Sequence, residues 1–209
     1  MTAIVYVDGF NLYYGALKGT QYKWLDLPKL CRLLLPNENV VKVRYFTARV
    51  KSEPANPDVA ARQDAYLRAL GSCPDVSIHY GTFLRSTTRM RLANPPPTGA
   101  KTVEVLKTEE KGSDVNLGSY VLLDAFRGDC DLAVMIGNDS DLVTPLRMVK
   151  EEFGTRIGLI NPHPRDASRA LQRVGVSFIK SVRKGVLASS QFPPKVPVGR
   201  GEVERPASW

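Results

Sequence analysis

Histidine, cysteine and long apolar runs are scarce in this sequence. Its 209 residues include two histidines and three cysteines, and neither type shows the paired spacing of a zinc site. The cysteines are odd in number and far apart, so we expect free thiols in a reducing compartment rather than a disulfide framework. No apolar run approaches the length of a membrane span, and the first apolar segment begins too early to follow a signal peptide. We therefore expect a cytoplasmic protein with no membrane partner.

Acidic residues are outnumbered by basic ones. There are 29 Lys and Arg against 21 Asp and Glu, which gives a formal net charge of +8. This balance favours a polyanionic partner such as nucleic acid. The apolar content of 43% is ordinary for a globular protein, and the length suffices for one domain with a buried core. Composition does not fix the oligomeric state, and a homodimer stays open.

Short apolar segments alternate with helical patterns along most of the chain, which favours an α/β fold. Apolar and β-branched runs predict strands at 3–7, 40–50, 76–84, 101–111, 131–137, 156–160 and 176–179. Helical spacing predicts helices at 25–35, 56–70, 113–126, 139–153 and 165–174. Because most strands are apolar on both faces, we expect a three-layer α/β/α sandwich with a central, mostly parallel sheet. This domain is predicted over residues 1–188, followed by a flexible Pro/Gly-rich tail at 189–209.

Four aspartates stand where predicted strands end or helices begin. Asp8 ends the first strand, Asp139 and Asp141 follow the strand at 131–137, and Asp114 opens a helix. Helix capping would explain any one of the last three alone, and that alternative stays open. Ligands of parallel sheets bind at the carboxyl ends of the strands, where these acids converge. Clustered carboxylates repel each other unless a cation lies between them, and oxygen ligands favour Mg²⁺ or Mn²⁺.

Three acidic motifs, in this order, resemble those of the NYN domain, a branch of the PIN-like nuclease superfamily. They are IVYVDGFNLYY (4–14), KGSDVNLGSYVLLDA (111–125) and VMIGNDSDLVTPLRMV (134–149). The resemblance covers roughly residues 3–194 and implies a PIN-like fold with Mg²⁺- or Mn²⁺-dependent nuclease chemistry. Carried over by position, the catalytic residues would be Asp8, Asn11, Asp114, Asp139 and Asp141, with the four aspartates as the metal ligands.

The function expected from these motifs is hydrolysis of RNA phosphodiester bonds, as an endoribonuclease whose metal-bound water attacks phosphorus. DNA stays open as a substrate. The alternative is an RNA-binding regulatory protein that keeps the fold and the site but has little turnover. A phosphatase of the haloacid dehalogenase type would need a second Asp at position 10, where this sequence has Phe10.

Basic residues near the acidic motifs are the candidate nucleic-acid contacts. Their charge could hold phosphates, although exposed basic side chains also serve solubility alone. Arg165, Arg169 and Arg173 recur at helical spacing and should share one face of the helix at 165–174. His79 and His163 have no catalytic context in the sequence. The candidate nucleic-acid-binding residues are Arg85, Lys107, Lys111, Arg165 and Arg169.

Overall fold

A seven-stranded sheet forms the centre of the computed structural model, which describes residues 1–52 and 54–209. Its strands are β1 (Thr2–Asp8), β2 (Asn39–Ala48), β3 (Val76–Arg91), β4 (Thr102–Lys111), β5 (Leu132–Ile136), β6 (Arg156–Asn161) and β7 (Phe178–Ser181). The strand order is β4-β3-β2-β1-β5-β6-β7. Neighbouring strands are parallel except β3 and β4, which pair antiparallel at one edge. The predicted mostly parallel sheet is confirmed.

Helices cover both faces of this sheet. They are α1 (Gly9–Leu12), α2 (Leu27–Leu34), α3 (Val59–Gly71), α4 (Ser113–Arg127), α5 (Val143–Phe153), α6 (Arg169–Gln172) and α7 (Lys184–Ser189). Helix α1 continues directly into a π-helical turn at Tyr13–Leu17. One core contains α2, α3 and α7, and a second core on the opposite face contains α4, α5 and α6. None of the helices in the described residues is long and apolar enough to cross a membrane.

The alternation of side chains along β1 explains the three layers. Ala3, Val5 and Val7 are buried in the first core, whereas Ile4 and Tyr6 are buried in the second. A strand that is apolar on both sides needs a helical layer on each side to exclude water. The predicted α/β/α sandwich is therefore confirmed.

A buried ion pair fastens α4 to the sheet. Arg44 on β2 donates two hydrogen bonds to the Asp124 carboxylate, at 2.7 and 2.6 Å, and the Tyr6 hydroxyl donates a third at 2.8 Å. Asp124 is fully buried, and these three donors compensate its lost hydration. The pair fixes the helix whose first turn carries Asp114.

The tail at 189–209, expected to be flexible, forms an antiparallel hairpin of β8 (Lys195–Val198) and β9 (Gly201–Glu204). Val196 and Val203 are buried in the first core. The indole of Trp24 donates a hydrogen bond to the Pro193 carbonyl at 2.8 Å. Burial of these side chains stabilises the hairpin, although the composition of the segment is mostly polar.

Two further elements differ from their predicted lengths. Strand β3 extends past the predicted end at residue 84, and with β4 it forms a solvent-exposed arm. The helix predicted at 165–174 is shorter and forms only α6, so Arg165 lies in the preceding loop. The prediction that Arg165, Arg169 and Arg173 share one face of a helix is therefore wrong. The loop before α6 is held by side chains instead, since Asn138 and Asn161 bond its backbone groups.

Candidate active site

The acidic residues gather where the sheet topology reverses direction. Strand β1 pairs with β2 on one side and with β5 on the other, so the connections leave in opposite directions and open a crevice. Asp8 is the last residue of β1, and Asp139 follows the end of β5 by three positions. Gly137 lies beside Asp8, and a Cβ at Gly137 would lie 2.8 Å from the Met135 side chain and 3.4 Å from the Asp8 Cβ.

Asp8 is a buried carboxyl group with only 6% of its surface exposed. It caps α1, where its Oδ1 accepts a hydrogen bond from the Asn11 amide at 2.9 Å. Burial raises the pKa of Asp8 to about 6, and the nearby charges of Asp114 and Asp139 act in the same direction, whereas the Asn11 amide opposes them. The ionised form of Asp8 is therefore destabilised in the folded protein.

The other three acids surround Asp8 unequally. Asp114 is half-buried in the first turn of α4, where burial and then the charges of Asp139, Glu110 and Asp141 raise its pKa. Asp139 caps a short 3₁₀ turn by accepting the Asp141 amide hydrogen bond at 2.9 Å. Asp141 itself is exposed. The predicted convergence thus holds for Asp8, Asp114 and Asp139, with Asp141 at the rim.

The spacing of the acidic side chains bears on the predicted metal site. No three His, Cys, Asp or Glu side chains in the part of the chain that the structure describes approach closely enough to share an ion. The acids interact through their charge, which together with burial raises the pKa of Asp8 and of Asp114. Binding of Mg²⁺ or Mn²⁺ here stays a prediction, and we derive no chemical step through an ion.

A histidine that the sequence did not single out lies beside this cluster. His163, two residues beyond β6, places Nε2 2.8 Å from the Asn11 Oδ1, which also accepts the Asn138 amide hydrogen bond at 3.0 Å. Partial burial and the charge of Arg165 lower the pKa of His163, which favours neutral imidazole. The only sequence signal was its position after a buried strand, and a lone histidine there carries little information.

Glu110 is a second residue that the sequence did not single out. It lies at the end of β4, where its carboxylate accepts hydrogen bonds from the Ser113 amide at 3.1 Å and the Ser113 hydroxyl at 2.7 Å. Glu110 thereby caps α4 and adds a negative charge behind Asp114. A capping acid in the preceding strand has no fixed spacing signature, so sequence patterns alone could not find it.

A cavity of about 550 Å³ adjoins the acidic cluster. It lies between the segment that follows β1, helix α3 and the C-terminal residues. Six aromatic side chains line what we call the aromatic cavity: Phe10, Tyr13, Tyr14, Tyr45, Tyr66 and Trp209.

Tyr45 and Gly9 connect the aromatic cavity to Asp8. Both residues line the cavity, and burial followed by the charge of Asp8 raises the pKa of the Tyr45 phenol. The missing side chain of Gly9 makes the contact possible, because a Cβ there would lie 2.7 Å from the Tyr45 hydroxyl and from the Phe46 carbonyl oxygen. A molecule in the cavity can therefore contact Tyr45 and Gly9, the part of the wall that adjoins Asp8.

The candidate nucleic-acid residues lie in two separate regions. Arg85, Lys107 and Lys111 are exposed on the β3–β4 arm, and both lysines lie near Glu109, at 2.7 and 3.8 Å. Arg165 and Arg169 are exposed in and just after the loop that follows β6. None of these five residues lines the aromatic cavity. Their role in binding RNA stays a prediction.

Comparison with known proteins identifies an enzyme relative. No family model matches the chain. The 6-hydroxy-3-succinoylpyridine 3-monooxygenase HspA of Pseudomonas putida is 31% identical, over 98% of this chain and 74% of the relative. A solved protein of unknown function from Vibrio parahaemolyticus has the same fold, with a TM-score of 0.55 and 14% identity, covering 88% of this chain and 93% of that one.

The monooxygenase relative overturns the ribonuclease prediction. A relative at 31% identity over nearly the whole chain is named for oxygen insertion into a pyridine, which conflicts with metal-dependent hydrolysis of RNA. The comparison supports an enzyme, but not a nuclease or another hydrolase. The ribonuclease prediction from the acidic motifs was wrong because carboxylates at this edge of a parallel sheet indicate local charge rather than a particular reaction. The NYN resemblance stays a prediction, and so does RNA as a partner.

Proposed function

We propose that this chain, which belongs to the family of the 6-hydroxy-3-succinoylpyridine 3-monooxygenase HspA, is a monooxygenase that acts on a small aromatic substrate. The observation that carries the proposal is the 31% identity over 98% of the chain. A similarity of this extent covers both cores and the crevice, so the relative serves as the guide to the class of reaction.

The aromatic cavity supports the proposal. Small-molecule sites are concave, largely apolar and about 300–1,000 Å³ in volume, and this cavity falls within that range. Aromatic walls suit a planar ring, which they can contact face-on or edge-on. Tyr45 and Gly9 line the cavity and also adjoin Asp8, so a ring bound in the cavity would lie near the acidic cluster.

The reaction requires two co-substrates. Where the attacked ring carbon carries hydrogen, one oxygen atom of O₂ enters that C–H bond and gives a hydroxyl group, and the other leaves as water. One reductant of the reduced nicotinamide class supplies the two electrons and is oxidised to nicotinamide cation, and one proton is taken up from water. Where the carbon carries an acyl side chain, as carbon 3 of 6-hydroxy-3-succinoylpyridine does, the hydroxyl group replaces the side chain, which leaves as an aldehyde, and a second reduced nicotinamide and a second proton are consumed. In this scheme, the residues of the cavity bind and orient the ring and exclude bulk water.

A direct assay follows from this scheme. Purified protein is incubated with 6-hydroxy-3-succinoylpyridine, NADH or NADPH and air, and products are identified by liquid chromatography and mass spectrometry. We expect an oxygenated product that is absent without oxygen and absent without reductant. Oxidation of NADH with no oxygenated product, or no reaction with either reductant, would contradict the proposal.

A pair of variants tests whether turnover occurs at the aromatic cavity. Tyr13→Ala removes part of the cavity wall and should lower kcat/KM about tenfold, since a buried aromatic contact of this size is worth about 1–2 kcal/mol. Phe153→Ala removes an aromatic side chain that is partly exposed on α5 and does not line the cavity. This control should keep wild-type kinetics. Equal losses in the two variants would place turnover elsewhere.

A further inference from the structure

The charged side chains among the described residues that line the aromatic cavity are all basic. Three basic side chains, Lys18, Lys23 and Arg62, line it together with the aromatic residues. No Asp or Glu is among the described residues that line it. A concave surface that combines aromatic walls with three basic side chains matches an aromatic ligand that carries a negative charge.

Lys23 is the cation that is least engaged with the protein. It is half-buried, and it makes no hydrogen bond or salt bridge with the described residues. Lys18 is exposed and lies 4.8 Å from the centre of the Tyr14 ring, a cation–π contact that leaves its hydrogen-bond donors free. Partial burial of an ammonium that has no partner among the described residues costs free energy, which an anionic ligand would offset.

Arg62 is more strongly held. It donates to the Asn56 side chain and lies 4.0 Å from the carboxylate of Asp58, the N-cap residue of α3. These contacts fix its guanidinium at the cavity wall, so Arg62 supplies a positioned charge while the lysines supply free donors. The bound anion is therefore expected nearest Lys23 and Lys18.

The walls of the cavity come from segments that can hold a ring in one orientation. Tyr13 belongs to the π-helical turn, a rare conformation that frequently occurs at functional sites. On the opposite side, Trp209 packs against Tyr66 and Trp24, with ring centres 6.1 and 6.3 Å apart. The ring of a ligand would lie among Tyr13, Tyr66 and Trp209.

We infer that the aromatic cavity binds a planar aromatic carboxylate, with the ring among the aromatic walls and the carboxylate at Lys23 and Lys18. As a substrate site, this assignment rests on the proposed oxygenase function. As a binding site, it can be tested without turnover, because binding needs neither oxygen nor reductant.

Binding of nicotinate and nicotinamide tests the inference, since the two share a ring and differ in charge. The protein has two tryptophans, and Trp209 lines the cavity in contact with Trp24, so tryptophan fluorescence reports on its occupancy. We expect nicotinate to bind about tenfold more tightly than nicotinamide, the factor typical of one charge-assisted contact. Equal affinities, or no binding of nicotinate, would overturn the inference.

Three variants locate the ligand. Lys23→Gln should weaken nicotinate binding about tenfold and leave nicotinamide unchanged. Tyr13→Ala should weaken both ligands, because both share the ring. Lys184→Gln, at an exposed position on α7 outside the cavity, is the matched control and should change neither. Lys18→Gln repeats the first test at the second lysine that lines the cavity. Unchanged nicotinate affinity in both lysine variants would place the anion elsewhere.

The two proposals fail in different ways. If nicotinate binds as described but no aromatic substrate is oxygenated, the cavity assignment holds and the monooxygenase proposal is wrong. If a substrate is oxygenated but neither Lys23→Gln nor Lys18→Gln changes its KM, the monooxygenase proposal holds and the cavity assignment is wrong.

Discussion

Replacing Asp8 with asparagine should make the protein more stable at neutral and alkaline pH. Asp8 is 6% exposed, and its neighbours Asp114 and Asp139 are themselves acids. An asparagine has nearly the same shape and can still accept the Asn11 amide hydrogen bond. The substitution therefore removes a buried charge and retains the cap of α1.

The magnitude follows from the pKa. Burial and neighbouring acids raise the pKa of Asp8 from 3.8 to about 6, which corresponds to about 3 kcal/mol between the two protonation states. Since the folded pKa lies above the unfolded one, the folded state binds the proton more tightly. The stabilisation that protonated Asp8 gives to the folded state is complete below the unfolded pKa of 3.8, and it is lost as the pH rises through the folded pKa of about 6. The gain of Asp8→Asn should thus be largest above that pH.

Urea unfolding followed by tryptophan fluorescence measures the effect. Wild type and Asp8→Asn are compared across a pH series from about pH 4 to about pH 8, and we expect the difference in unfolding free energy to grow with pH toward about 3 kcal/mol. Asp129→Asn, at an exposed aspartate outside the cluster, is the control and should show no such growth. Equal stabilities at every pH, or a less stable Asp8→Asn above pH 6, would refute the reasoning.

Three other perturbations probe separate parts of the structure. Asp124→Asn leaves the Arg44 guanidinium buried without its counterion and should cost about 3–5 kcal/mol in urea unfolding; wild-type stability would contradict the role of this pair. Millimolar Mn²⁺ should raise the melting temperature of wild type but not of Asp8→Asn, and no rise in wild type would contradict the predicted cation site. Val203→Asp places a charge in the first core and should detach the C-terminal hairpin, seen as a red shift of tryptophan emission; unchanged emission would mean that the hairpin does not depend on this contact.

The sheet could be predicted because its signal is local. Strands such as β5 are continuous apolar runs, and their alternation with helical patterns specifies layers on both faces. The C-terminal hairpin could not be predicted, because its stability depends on tertiary contacts of Val196, Val203 and Trp209 rather than on its Pro-rich composition. The short α6 has the same cause, since Asn138 and Asn161 hold the preceding loop through hydrogen bonds distant in sequence.

The acidic part of the site could be predicted, but its chemistry could not. Asp8 and Asp139 converge because the parallel strands β1 and β5 end at one edge, a consequence of topology that the sequence pattern contains. Asp114 reaches the same edge by another route, since it follows the antiparallel strand β4, whose Lys111 pairs with Thr82 on β3. His163 and the aromatic cavity depend on which distant segments meet. The cavity brings together Tyr13, Tyr66 and Trp209, and no local pattern relates these three residues. The reaction class came from the relative, since the same carboxylates suit several chemistries.

Isotope labelling tests the central claim most directly. Under ¹⁸O₂, with a reduced nicotinamide and 6-hydroxy-3-succinoylpyridine, a monooxygenase places one labelled oxygen atom in the organic product and one in water. We predict a product that contains a single ¹⁸O atom, formed in proportion to the nicotinamide oxidised. A product whose new oxygen atom is unlabelled, and therefore comes from solvent water, or reductant oxidation with no oxygenated product, would contradict the proposal that this protein is a monooxygenase.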